Sequence, residues 1–226
     1  MRYLAELEGQ PHVLENLSPC LQSDYARLRK IGSKWVLQSS AFDQCKTGQE
    51  VFPEADALVS RIHAIVKIYL RLHTTFSVVS ILWVNAGGRQ FRRSLRSRIK
   101  LNVYSANGVR DLAALRAGES LGSVLVRRAA TDAAFCEALA LLGEGPLRWS
   151  QIYDVIEFLG GAKDIARKGW ATKKETDRIR HTANYYRHLG RRRKDPLPKD
   201  PPTLAHATAF ALDLLKQWIT IYYSTV

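Results

Sequence analysis

The 226-residue sequence predicts an α+β protein: a small mixed α/β unit with an antiparallel hairpin over residues 1–106, then an all-helical bundle over 107–226. Two observations carry that division. Phe76 to Val84 (FSVVSILWV) is a β-branched, nearly continuous apolar run of the kind a central strand needs, and Gln90 to Tyr104 returns as a long alternating stretch. Beyond Ala106-Asn107-Gly108 that alternation stops and Ala, Leu and Arg dominate, as in a bundle.

The elements follow in chain order. Arg2 to Leu7 alternates and predicts a strand ended by Gly9 and Pro11, and Val13 to Leu21 predicts a short helix. Tyr25 to Ala41 predicts two short strands around the Gly32-Ser33 turn. From Glu50 to Leu72, apolar residues recur at i, i+3, i+4 and i+7 from Ala55 onwards, and Pro53 suits the first turn, so a helix is expected. Asn85-Ala86-Gly87-Gly88 supplies the glycines a hairpin connection uses. In the helical half, Val109 to Ala117 and Leu121 to Leu142 are expected helices, the second broken near Ala130-Thr131. Trp149, Ile152, Tyr153, Ile156 and Leu159 line one face of the next, which Gly160-Gly161 ends. Lys173 to Leu189 follows with Thr172 as N-cap. A final helix is capped by Thr203, its packing seam running through Leu204, Thr208, Ala211, Leu215, Trp218 and Tyr222.

The charge is the unusual bulk property. Apolar residues make up 46% of the chain and charged residues 24%, which is ordinary, but the net charge is +13. Such a balance points to RNA or DNA, anionic lipid or an acidic protein as partner. Cys20, Cys45 and Cys136 are too dispersed for a disulfide framework or metal motif and read as small buried hydrophobes in a reducing compartment. MRYLAELEGQ lacks the apolar stretch of a signal peptide, and Lys67, Arg71 and His73 interrupt the most apolar segment. A cytoplasmic protein without membrane contact is expected. No phosphate-cradling glycine motif and no metal-ligand spacing occurs, so neither cofactor nor metal is anticipated.

Two basic regions are the candidate contact surfaces. Arg92, Arg96, Arg98 and Lys100 fall on one side of the expected returning strand, with no acid from Gly87 to Tyr104, and a row of cations on one sheet face suits a phosphate backbone. Between Lys163 and Lys194, twelve Lys or Arg stand against three acids, a local surplus of +9. From that block Lys173, Lys174, Arg178, Arg187, Arg191, Arg192, Arg193 and Lys194 are nucleic-acid candidates, and Trp170, Tyr185 and Tyr186 could stack on bases.

The same block holds groups suited to metal-independent RNA cleavage. His181, Asn184 and His188 recur at i, i+3 and i+7, and Arg180 lies beside them. A histidine exchanges protons with the 2′-hydroxyl or the leaving oxygen, arginine stabilises phosphate charge, and asparagine orients. Asp154 and Glu157 share a helix face and read as salt-bridge partners of the basic block rather than as an acid/base pair.

With Arg, Asn and His late in a helical C-terminal domain, the last 80 residues or so resemble the HEPN superfamily. The resemblance implies a metal-independent endoribonuclease, often a homodimer, of bacterial toxin or defence systems. The family signature is Arg, four to six residues, then His; here seven residues separate Arg180 from His188. The readings left open are noncatalytic nucleic-acid binding, ribonuclease activity through His181, His188, Arg180 and Asn184, and a subunit docking an acidic protein.

Overall fold

The computed structural model describes residues 2–71, 76–84, 90–94, 121–142, 145–188 and 196–224. It has the expected α+β architecture and divides into two compact units, residues 1–140 and 141–226. The 106/107 boundary expected from the sequence lies outside the described residues, as does the helix expected at 109–117.

The first unit is built on an antiparallel sheet of order β2-β3-β1-β4-β5. Its strands are β1 (Arg2–Gly9), β2 (Arg27–Ile31), β3 (Lys34–Gln38), β4 (Phe76–Val84) and β5 (Gln90–Ser94). Helix α1 (Pro11–Leu17) and a 3-10 turn (Ser18–Cys20) join β1 to β2. β1 lies in the centre, which is why Tyr3 to Leu7 is buried on both faces despite its alternating sequence. β4 and β5 pair antiparallel, with Leu82 opposite position 92, while the expected connection at 85–88 and the expected continuation of the returning strand over 95–104 lie outside the described residues.

Helix α2 (Gly48–Leu70) packs on β4 and β1. Thr47 caps it, its Oγ1 accepting from the Glu50 N–H at 3.3 Å. A Cβ at Gly48 would lie 3.9 Å from Tyr3 and from Ile81, so α2 covers the face those two share. The opposite face has its own apolar patch of Leu4, Val36 and Leu82, joined by Ile31 and Val84. Beside it Glu6, only 8% exposed, accepts from Ser80 and pairs with Lys34 at 2.9 Å.

Helices α3 (Leu121–Thr131) and α4 (Ala133–Ala140) pack on α2. The break between them falls at Asp132, whose Oδ1 accepts from the Phe135 N–H at 3.0 Å and so starts the second helix.

The second unit holds α5 (Trp149–Phe158), α6 (Gly161–Arg167), α7 (Lys173–Arg187) and α8 (Leu204–Ser224). Ile152, Val155, Ile156, Ile165, Ile179, Ala183, Ala211 and Leu215 form its buried centre. One expectation is corrected. The apolar seam of α8 runs through Ala207, Ala211, Leu214, Leu215 and Ile219, whereas Leu204 is 41% exposed, because the buried stripe starts one turn later. Of the cysteines, Cys20 is buried but Cys45 and Cys136 are only partly so.

Candidate nucleic-acid interface

Helix α7 is where the basic block becomes geometry. The Thr172 Oγ1 accepts from the Glu175 N–H at 3.2 Å, giving the helix the start its sequence predicts. Thr176, Ile179, Thr182 and Ala183 are buried and fix the inward face against α5 and α6. At 100° per residue, that leaves Lys174, Asp177, Arg178, His181, Asn184, Tyr185 and His188 along the opposite side. Lys174 and His181 are exposed, and the other five are half-buried.

The arginines between these faces are otherwise engaged. Arg180 donates to Glu157 of α5, and this bond raises the guanidinium pKa further, holding it charged. Arg187 lies 3.6 Å from Asp154, and its guanidinium sits 3.9 Å from the centre of the Tyr153 ring. Tyr153 is thus flanked by two cations, with Arg180 5.5 Å from its centre on the same helix-helix seam. One turn away Trp149 stacks on Tyr186 at 5.2 Å. Asp154 and Glu157 therefore act as the salt-bridge partners the sequence suggested. The seam holds α7 in place: each ion pair is worth well under about 1 kcal/mol, but a shared aromatic ring gives the pair geometric definition.

This settles where the proposed cleavage residues lie. Arg180 faces the α5 carboxylates while His181, its neighbour in sequence, is exposed to solvent. His188 Nε2 lies 3.3 Å from Arg187 Nη2, and Asn184, one turn from each histidine along the helix, is half-buried.

The cations expected to touch nucleic acid divide similarly. Lys174 is exposed. Lys173 bonds Asp177 at 2.7 Å, and Arg178 bonds Asp200 at 2.7 Å, the latter carboxylate being 85% exposed on its loop. Arg191, Arg192, Arg193, Lys194, Arg96, Arg98 and Lys100 lie outside the described residues. The backbone of Arg92 is described, and its register opposite Leu82 puts it on the sheet face whose centre is the buried Leu4-Val36-Leu82 patch.

Sequence reading missed α6 and the turn after it. Lys168 closes α6, and Gly169 then takes a left-handed φ of 72°. The Gly169 N–H donates to the Ala166 carbonyl at 3.0 Å and the Trp170 N–H to the Ile165 carbonyl at 3.1 Å, the paired bonds of a Schellman stop. A side chain at 169 would strain that conformation. Gly169 was the available signal.

No group of three or more metal-ligating side chains occurs among the described residues, and no described helix is long and apolar enough to cross a membrane. No protein-family model, curated protein or solved structure matches the chain.

Proposed function

We propose that this protein binds nucleic acid through the outward side of α7. The observation that carries the reading is one stripe, about 21 Å long, on which Lys174, Arg178, His181, Tyr185 and His188 follow one another, its one acid, Asp177, being paired with Lys173. Cationic and hydrogen-bonding groups on a rigid helix suit a phosphate-lined surface, and the +13 net charge raises its encounter rate. Asp200, the partner of Arg178, is well exposed, so a phosphate oxygen can displace it at little cost. Binding is favoured over cleavage because Arg180, the arginine of the cleavage set, is held by Glu157 on the α5 seam.

Fluorescence anisotropy of the whole chain with labelled duplex DNA and single-stranded RNA tests this. Binding to at least one is expected at about 50 mM salt. With Lys174 and Arg178 each neutralising a phosphate, it should weaken at least about tenfold by about 200 mM. Absence of binding to either probe at the lower salt overturns the proposal and leaves an acidic protein as the partner to pursue.

A further inference from the structure

Resting on the nucleic-acid reading above, we infer that α6 and α7 form a helix-turn-helix and that α7 enters the major groove of duplex DNA. Between the last capping residue of α6, Lys168, and the N-cap of α7, Thr172, lie only Gly169, Trp170 and Ala171. A three-residue turn containing a left-handed glycine is the connection this motif uses. The Schellman bonds fix where α6 stops, and Thr172 fixes where α7 starts. The turn is also anchored from behind: the Gln217 side chain of α8 donates to the Trp170 carbonyl at 3.5 Å, and Lys168 lies 4.5 Å over the Trp170 ring.

In such a motif the second helix presents side chains near its N-terminus to base edges while the first helix crosses the backbone. Here the second helix offers Lys174, Arg178 and His181 in its first three turns. Lysine and arginine donate to guanine O6 and N7, and Asp177, within the stripe and bonded to Lys173, is an acceptor suited to cytosine N4. Lys163 on α6 and Lys168 at the turn are both exposed and are placed for flanking phosphates.

Duplex DNA is favoured over RNA by two features. Single strands are held by stacking bases on open aromatic faces. The aromatic rings near the stripe are occupied internally: Tyr186 by Trp149, Trp170 by Lys168, and Tyr153 by Arg187. Only Tyr185 remains on the stripe, and it meets Tyr186 edge-on at 5.3 Å. Double-stranded RNA, for its part, has a major groove too deep and narrow for a helix.

The test is a set of titrations of the whole chain at one low salt concentration. The probes are a DNA duplex, an RNA duplex of the same sequence, and single-stranded RNA. DNA titrations are repeated with methyl green, which occupies the major groove, and with netropsin, which occupies the minor groove. The expected result is DNA duplex binding at least about tenfold tighter than either RNA, competed by methyl green and unaffected by netropsin. Equal or tighter binding of either RNA, or competition by netropsin alone, overturns the helix-turn-helix inference while leaving nucleic-acid binding intact. Binding to none of the three sinks both.

Discussion

Replacing Lys174 and His181 together with glutamate is expected to weaken nucleic-acid binding about 100-fold at about 50 mM salt. Both residues are exposed on the α7 stripe, Lys174 at its start and His181 at its middle, and neither side chain makes a hydrogen bond or ion pair among the described residues. The substitutions therefore remove no internal contact. Glutamate is a good helix former, and at position 174, in the first turn, its charge favours the positive end of the helix dipole. Fold and thermal midpoint should be unchanged. What is lost is a phosphate contact, and what is gained is repulsion between carboxylate and phosphate. The control is Lys46→Glu, an exposed cation of the first unit, which should leave affinity within about twofold apart from a small general charge effect. If the double variant binds as the parent does, α7 is not the contact surface. If both variants weaken binding equally, the attraction is diffuse and no defined face exists.

The largest stability effect expected is a loss on acidification centred on His63 of α2. Its ring packs edge-on against Phe76 with centres 4.2 Å apart, and the Phe76 N–H donates to Nε2 at 3.4 Å. Burial lowers its pKa from 6.5 to about 4, and nearby Lys67, itself 3% exposed, pushes in the same direction. Between those two values the unfolded chain holds a proton that the folded chain refuses, so stability falls as pH drops from about 6.5 towards about 4. Full titration corresponds to about 3 kcal/mol. Carboxylates titrate over part of the same window, so the quantity to read is the difference between the parent and His63→Gln. By urea unfolding, that difference should move by about 2–3 kcal/mol against the parent between pH 7 and pH 4.5. A difference that stays constant across the range shows that His63 is protonated in the folded protein as freely as in the unfolded one.

How much of this was legible depended on whether the signal was local. Phe76–Val84 was readable to the residue because a β-branched run states its own limits. Thr172 and Thr203 were readable as caps, and the Thr203 Oγ1 does accept from the His206 N–H at 3.2 Å. The interruption near Ala130-Thr131 was visible, though the reason for it, the Asp132 cap, was not drawn from the sequence.

What escaped was either short or non-local. Helix α6 spans seven residues inside a cationic run, so charge hid its Ala162-Ile165 apolar spacing. The sequence suggested Asp154 and Glu157 as partners of the basic block but not that Arg180 and Arg187 are the cations they take. Their engagement depends on the angle at which α7 meets α5, which brings Glu157 and Asp154 alongside. A helical wheel of one segment cannot contain that information. The burial of the second face of the sheet is non-local too: β1, central between β3 and β4, buries Leu4 and Glu6 on the side opposite Tyr3 and Ala5.

The most direct test of the central claim is amine-reactivity footprinting of the whole chain, with and without saturating duplex DNA. Lys174 and Lys168 should lose most of their reactivity on binding, while Lys46 and Lys30 of the first unit stay as reactive as before. Lys174 labelled at the same rate in bound and free protein would contradict the account.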